Sequence, residues 1–447
     1  MNITDFFNNQ VRDANLYTNY RVLPGIDGLK NTQRKCLYVM QNNGDKESKI
    51  SNKASEIAIA TEYLHGNTSL ESVLSGLNVS YEGSGNNLPL LEGIGQFGSK
   101  FNPEAIGASR YVYTKKSKIF DLYFKKDDID IYDKVFFEGT QIESIMMPTL
   151  IPLGMFQYSI GSGFASLIMP RKITNVIKYL KNSISNIPMT PSEVNKLLLP
   201  HINGFSGLVS MNENTASFVG KYQKINTYTI NITEIKPFMG LEAYLFHLDK
   251  LIKDKVIKSY IDDSSSNNFN FTITVPGNFW DEYNTTEKVV KILNLSENMN
   301  ENITMFNENN QLVIYNNIEE YCKYFINWRL SKYNDRKDSI IKKLEAKLLL
   351  ATSRAFFIKS VLDKTIVIER MSKADVIKQI DTIEQIKKVD DSYDVYISMP
   401  LYSLTLEKIE ELKKEVAKIK AELETVKNTS INDMWLNDIS AIEKVLK

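Results

Sequence analysis

The sequence predicts a multidomain α+β protein, and three observations carry that expectation. The first 135 residues or so alternate short helical patterns with turn clusters. Residues from about 203 to 315 mix alternating and helical patterns, and the last third holds two long seams of apolar residues spaced three and four apart. A chain of 447 residues has room for two to four domains at about 150 residues each. The boundaries fall at 1–140, 141–315 and 316–447.

In the first region, Thr32 to Met40 (TQRKCLYVM) puts Cys36, Leu37 and Met40 on one helix face. Ala54 to Leu64 (ASEIAIATEYL) carries Ile57, Ala60, Thr61 and Leu64 at helical spacing. A third helix from Thr68, capped by Asn67 or Thr68, has Leu70, Val73 and Leu74 at core spacing. Together they read as a helix-turn-helix unit, although a small helical domain with no nucleic acid fits the same pattern. Tyr81 to Lys100 is glycine-rich and contains Gly93-x-Gly95-x-x-Gly98. No strand-then-helix unit surrounds it and no acidic ribose partner follows about twenty residues later, so it reads as a tight loop, not a dinucleotide site.

Further on, Asn226 to Ile235 alternates as a strand, Leu241 to Ile257 is an amphipathic helix, and Phe269 to Val275 is a second strand after a polar loop from Asp262 to Asn268. In the last third, Ile341, Leu344, Leu348, Ala351, Ala355, Ile358 and Leu362 form one seam. Ile409, Leu412, Val416, Ile419, Leu423 and Val426 form the other. With Asp363 to Leu401 between them and a turn at Pro400, the two helices fold back as an antiparallel hairpin with a small domain at its tip. Such a hairpin suits the joining of two protomers; an internal bundle is the alternative.

The chain has 54 basic and 54 acidic side chains, 43% apolar and 24% charged residues, which excludes global disorder. Cys36 and Cys322 lack metal-type or disulfide-type companions. The apolar stretch from Ser144 to Phe156 is broken by Pro148 and Pro152, and the N-terminus has no signal pattern, so the expectation is a cytoplasmic protein in a reducing compartment with no membrane partner. Three histidines, His65, His201 and His247, leave little material for a Ser/His/Asp hydrolase or a histidine-rich metal site. Asp127, Asp128, Asp130 and Asp133 suggest a divalent-metal site, but beside Lys125 and Lys126 they fit a solvated face as well. No GxxxxGK[ST] occurs, so ATP is expected to act elsewhere.

The segment Ala105 to Phe120 (AIGASRYVYTKKSKIF) has Arg110, Lys115, Lys116 and Lys118, no acid, and the tyrosines Tyr111 and Tyr113. A phenol is a poor nucleophile at neutral pH, but cationic neighbours favour its anion, and a guanidinium holds a phosphate oxygen. Tyr111 beside Arg110 therefore suits attack on a phosphodiester, giving a phosphotyrosine. A Tyr-Arg pair is also a common structural neighbour.

Several stretches, in order and spacing, resemble the breakage-reunion subunit of type IIA DNA topoisomerases. RVLPGIDGLKNTQRK (Arg21 to Lys35) resembles R-[AS]-[IL]-P-x-x-x-D-G-[LF]-K-P-x-[QH]-R-[KR], and YLHG (Tyr63 to Gly66) resembles YHHG. GQFGS (Gly95 to Ser99), ASRYVY (Ala108 to Tyr113) and SIGSGFASLIMP (Ser159 to Pro170) resemble G-x-F-G-[ST], [AS]-[AS]-R-Y-[IT] and G-I-[AG]-x-G-x-[AS]-T-x-[IL]-x-P. Within the family the likeness is greatest to the bacteriophage branch, whose short cleavage subunit ends without a DNA-wrapping domain.

The resemblance implies a winged-helix cleavage core over 1–140, a mixed α/β tower domain over 141–315, and a coiled-coil hairpin with a small helical C-gate dimerisation domain over 316–447. It makes Tyr111 the nucleophile joined to a DNA 5′ end, with Arg110 and Arg21 supporting the scissile phosphate and His65 near the leaving oxygen. Lys30 and Arg34 would hold the backbone of double-stranded DNA, with Asp27 orienting them. Ile160 would wedge between base pairs, although an isoleucine there is most simply core. Lys115 and Arg171 lie in the same acid-free windows, 28–44, 105–120 and 144–192, so a net charge of zero hides basic segments.

Arg21 reaches the arginine position only with one residue deleted before Asp27; strict spacing puts Tyr20 there. Asn31 replaces a proline, Leu64 replaces the first histidine of YHHG, and Tyr113 is a rival nucleophile without its own arginine. The implied activity is an ATP-dependent type II topoisomerase that makes a transient double-strand break for relaxation or decatenation. Mg²⁺ and ATP would be bound by a large partner subunit with TOPRIM and ATPase domains, and the chain would pair with a second copy. A non-catalytic DNA-binding scaffold and a coiled-coil interaction protein are the other classes.

Overall fold

Three amphipathic helices open the fold after an N-terminal helix, Arg12–Val22. Asn31–Asn42 buries Cys36, Leu37, Val39 and Met40; Ile50–Ala60 buries Ile50, Ala54 and Ile57; Asn67–Asn78 buries Leu70, Leu74 and Leu77. The periodicity that marks each helix is the face it turns to the others. The structure, a computed structural model, describes residues 2–42, 46–137, 140–265, 268–389 and 391–446, with backbone alone at 133–137, 140–145 and 401.

The second helix departs from the pattern read over Ala54 to Leu64. It starts at Ile50 and stops at Ala60, and Glu62 takes a left-handed φ of 47°, which turns the chain. Tyr63 to Gly66 therefore forms a loop. The next helix begins at Asn67 with Gly66 as its N-cap and no side-chain cap, contrary to the expected Asn67 or Thr68.

Among the described residues the strands form six small antiparallel sheets. Strands β1 (Ser48–Lys49), β2 (Leu91–Ile94) and β3 (Tyr113–Lys116) pair in the order β1-β3-β2. β4 (Asp133–Phe137) pairs with β5 (Thr140–Met146), and β6 (Gln157–Ile160) with β7 (Ala165–Ile168). β8 (Leu208–Asn212), β9 (Thr215–Val219) and β14 (Ser296–Asn300) form a sheet in the order β14-β9-β8. β10 (Lys221–Asn226), β11 (Thr229–Glu234), β12 (Ser259–Asp262) and β13 (Phe271–Thr274) form another, in the order β10-β11-β13-β12. β15 (Ile303–Phe306) pairs with β16 (Leu312–Tyr315). Ile230, Ile232, Phe271 and Ile273 alternate along β11 and β13, and meet Tyr244, Leu248 and Leu251 of the helix Leu241–Lys253. The central strands match the expected ones. The edge strands β10 and β12 are polar and exposed, so no alternation marks them, and Asn226 ends β10 instead of starting β11. Residues 266 and 267 of the expected polar loop lie outside the described residues.

By packing, the chain divides into Met1–Arg329 with Leu436–Lys447, and Leu330–Trp435. In the second unit, Leu344, Ala351 and Ile358 of the helix Ile318–Leu362 pack against Ile409, Leu412 and Ile419 of the helix Leu406–Asn428. The seam runs through Ile340, not Ile341, and Leu362 is exposed. Phe357, Ile366, Val376, Ile380, Ile386, Tyr393 and Tyr396 form a separate small core beyond the hairpin. The last helix, Ile431–Leu446, leaves the hairpin unit at Leu436, which apolar periodicity alone did not signal. Cys36 and Cys322 are free, and burial pushes both thiols up to about 12. Among the described residues no helix is long and apolar enough to cross a membrane.

Candidate nucleophile and nucleic-acid interface

Strand β3 is the centre of its sheet, and Tyr111 sits in the turn that leads into it. The Tyr111 N–H donates to the Ala108 carbonyl at 2.8 Å, and the Gly107 N–H donates to the Gln96 carbonyl at 2.9 Å. Ile50 and Ser51, which start a helix, donate their N–H groups to the carbonyls of Val112 and Ser109. The neighbouring Val112 is buried under Gly95, whose φ of 112° and missing Cβ allow that approach. Tyr111 is consequently turned outward, 68% exposed, with the Arg110 guanidinium 4.9 Å from its ring centroid. Ser109 donates to Glu71 at 2.9 Å, pinning the preceding residue. Tyr113 lies within β3, half-buried and opposite Lys49 and Ile94. Of the Gly93-x-Gly95-x-x-Gly98 segment, expected as a tight loop, Gly93 instead lies in β2 opposite Thr114, and the tight turning is confined to Gly95 and Gly98, with φ of 112° and 79°.

A second cluster surrounds His65. Its Nε2 lies 3.5 Å from the Tyr17 hydroxyl, and its ring meets Tyr63 edge to face at 5.4 Å. The Arg21 guanidinium lies 5.8 Å from the Tyr17 ring, and the Lys35 ammonium 5.7 Å from the Tyr63 ring. Desolvation, then the charges of Arg21 and Lys35, hold the His65 pKa below the ordinary histidine value, so the imidazole is neutral at pH 7. It offers an N–H donor or a lone pair, not a cation. Tyr63 and Lys35 stand inside the YLHG and RVLPGIDGLKNTQRK stretches but were given no role there, and Tyr17 was not anticipated; its signal is the place four residues before Arg21 on one helix.

The third element is a cleft of about 670 Å³ lined by Arg21, Lys30, Gln33, Asn86 and the β6 residues Tyr158 and Ile160, among others. Lys30 Nζ donates to the Tyr158 carbonyl at 2.6 Å, and burial holds its pKa below the ordinary lysine value. Along β6, Gln157 and Ser159 point inward while Tyr158 and Ile160 are 53% and 66% exposed. Ile160 is thus not core. The cleft brings Arg21, Lys30 and Ile160 together.

Two expected DNA-facing arginines point inward instead. Arg34 is 3% exposed and donates Nε to Asp27 at 2.6 Å and Nη2 to Asp27 at 3.0 Å. Asp27 also accepts the N–H groups of Leu29 and Met147, at 3.2 and 3.1 Å, so the pair holds the turn to the chain at Met147. Arg171 is fully buried; it donates to Glu301 at 2.6 Å and to the carbonyls of Leu198 and Met169. A guanidinium committed to a buried carboxylate has no fork left for a phosphate. Lys115 is half-buried and pairs with Glu92 across β2 and β3 at 3.0 Å. Of the acidic cluster, Asp128 is buried against Arg329 at 2.8 Å, and the Asp133 side chain lies outside the described residues.

Known proteins with similar sequences include the DNA topoisomerase 2 of Plasmodium falciparum (isolate K1 / Thailand), 29% identical over 99% of this chain and 34% of that protein. The mitochondrial DNA topoisomerase 2 of Dictyostelium discoideum is 27% identical over 99% of this chain and 35% of its own length. A crystal structure of the Plasmodium falciparum topoisomerase II DNA-binding, cleavage and re-ligation domain superposes with a TM-score of 0.86 at 28% identity, covering 99% of this chain and 64% of that one. The chain spans about a third of the length of these curated relatives. Residues 21–441 match the DNA gyrase/topoisomerase IV A-subunit family, and the chain belongs to that family.

Proposed function

We propose that the chain is the DNA-breaking and rejoining part of a type II DNA topoisomerase, with Tyr111 as nucleophile. The observation that carries the reading is an exposed Tyr111 under the Arg110 guanidinium, on a turn fixed from both sides by backbone hydrogen bonds. In the reaction the phenol loses its proton and its oxygen bonds to phosphorus. The bond from phosphorus to the 3′ oxygen breaks, and that oxygen takes up a proton, leaving a 5′-phosphotyrosyl end. Reversal reseals the strand without a new energy source. Arg110 and Arg21 offset charge on the phosphate, neutral His65 supplies a hydrogen bond near the leaving oxygen, and two copies cut the two strands.

Duplex DNA lies along the cleft of Arg21 and Lys30, with Ile160 as wedge; Lys115 contributes a weaker, half-neutralised charge, and Arg34 and Arg171 act through the fold alone. The groups beside Tyr111 and His65 are cations, phenols and the single carboxylate of Glu71, which accepts from Ser109, and among the described residues no group of three or more His, Cys, Asp or Glu side chains gathers there, a donor set that does not fit Mg²⁺. Mg²⁺ and ATP belong to a large partner subunit. The sequence holds neither a P-loop nor an EGDxA motif, and the relatives are about three times as long, which supports placing those parts outside these 447 residues. The phage-type, separate-subunit reading rests on the sequence resemblance to the bacteriophage branch; pairing of copies rests on the hairpin unit with its small core.

The test is Tyr111→Phe in the complex reconstituted with the large subunit, ATP and Mg²⁺. The unaltered complex is expected to relax plasmid and leave denaturant-trapped, protein-linked DNA, and the variant to do neither. Protein-linked DNA persisting in the variant overturns the assignment; relaxation by this chain alone overturns the need for the partner.

A further inference from the structure

We infer that Asn19 is a positioning residue for Ile160: it braces the back of the β6–β7 hairpin so that the exposed isoleucine can bear on a duplex. This rests on the wedge reading of Ile160 proposed above and adds what holds the wedge in place.

Asn19 is 4% exposed and lies on the helix Arg12–Val22, two residues before Arg21. Its amide is used at both ends. Nδ2 donates to the Ser162 carbonyl at 3.1 Å, and Oδ1 accepts the Ser162 N–H at 2.7 Å. One turn earlier on the same helix, Asn15 accepts the Ser162 hydroxyl at 2.8 Å. Two asparagines of one helix therefore grip the residue at the tip of the hairpin. A Cβ at Gly161 would stand 2.2 Å from Asn19 Oδ1, so the brace occupies the face on which Gly161 would carry a side chain. Successive strand residues point to opposite faces. Ile160 therefore faces away from Asn19, into the cleft it shares with Arg21 and Lys30.

The brace answers a mechanical need. The hairpin pairs only four residues a side, and an isolated two-stranded hairpin is marginal. Its far end is held by Leu167 and Asn302, which exchange backbone hydrogen bonds at 2.9 and 3.1 Å; its tip is held by Asn15 and Asn19. An apolar side chain that unstacks a base step is pushed back by the duplex, and an unbraced tip would yield before the duplex did. Because the same helix carries Arg21, the brace also fixes the distance between the wedge and an arginine assigned to the phosphate.

The test uses the reconstituted complex and end-labelled duplexes, reading bending by energy transfer and cleavage by denaturant trapping. Asn19→Ala is expected to lower both about tenfold on intact DNA, the scale of two lost neutral hydrogen bonds. Asn19→Asp, which keeps the acceptor and loses the donor, is expected to fall between. Gly161→Ala, which displaces the amide without removing it, should behave like Asn19→Ala and guards against a misfolded variant. All three should recover on duplexes with a two-base mismatch at one symmetric pair of positions flanking the cleavage site, because a mismatch already softens the step. A purely structural defect would not be rescued by altering the DNA. Normal bending by Asn19→Ala while Ile160→Ala fails to bend overturns the brace and leaves the wedge standing. Loss without rescue at any mismatch position also overturns the brace. Normal bending by Ile160→Ala removes the wedge reading and the brace with it.

Discussion

Asp27→Asn tests the division between inward and outward cations. The carboxylate accepts two bonds from Arg34 and the N–H groups of Leu29 and Met147, and both partners of the ion pair are almost fully buried. An amide of the same shape keeps one oxygen for these donors but turns an NH₂ group toward the others, and it strands the guanidinium without a counter-charge. Removing one partner of a buried ion pair costs about 3–5 kcal/mol. Arg34 Nη2 keeps its bond to the Leu29 carbonyl at 3.1 Å, which favours the low end, about 3 kcal/mol. At roughly 2 °C per kcal/mol for a unit of this size, the calorimetric melting temperature should fall by about 6 °C. Adding Arg34→Met should restore much of the loss, since the double variant strands no charge. Arg34→Met alone should leave the slope of log affinity for DNA against log salt unchanged, whereas loss of a phosphate contact lowers it by about 0.9. An unmoved melting temperature in Asp27→Asn, together with a reduced slope in Arg34→Met, would refute the inward assignment.

Lys30→Gln should weaken DNA binding equally on all sequences and lower the salt slope by about 0.9, measured by titration at several salt concentrations; Lys115→Gln should change it less, because Glu92 already neutralises that ammonium. Glu301→Gln should destabilise the protein by about 3 kcal/mol in a melting experiment and leave DNA affinity at fixed salt untouched, since Arg171 is wholly buried. Leu412→Ala should cost the hairpin unit about 2–5 kcal/mol, read as an earlier loss of helical ellipticity. Burial holds His201 and His247 below the ordinary histidine pKa, so the folded chain binds fewer protons than the unfolded one as pH falls through about 6.5. Their contribution to stability is present above that pH and lost on acidification; the fall in melting temperature from pH 7.5 to 5.5 should shrink in the double variant His201→Asn/His247→Asn, and an unchanged fall would exclude these two groups.

The sequence made legible what one element decides for itself. Cys36, Leu37 and Met40, or Leu344, Ala351 and Ile358, state a helix face by spacing alone, and the structure buries those faces. Tyr111 and Arg110 were visible because their chemistry is local: neighbours in sequence are neighbours in space. Less visible were features decided by a second element. Nothing in KYQKIN or SYID announces an edge strand, because an edge has one partner and no buried face to write into its pattern. The helix over Ala54 to Leu64 looked longer than it is because Leu64 completes the spacing; it is 76% exposed on a loop that a left-handed Glu62 creates.

The charges show the same limit most sharply. Acid-free windows at 28–44, 105–120 and 144–192 suggested cations waiting for phosphate. Yet Arg34 is answered by Asp27, one residue outside its window, Lys115 by Glu92 across a strand pair, and Arg171 by Glu301, 130 positions away. A buried guanidinium must find a carboxylate, and the fold can bring one from any distance in sequence, so a window count measures only the local half of the balance. Among the cations assigned to DNA, Arg21, Lys30 and Arg110 make no carboxylate ion pair among the described residues; each lies against an aromatic ring or a backbone carbonyl, partners that leave the positive charge unspent. Only Lys30 and Arg110 of these three lie in the windows; with Arg21, which lies outside them, they make up the surface proposed to hold a phosphate backbone.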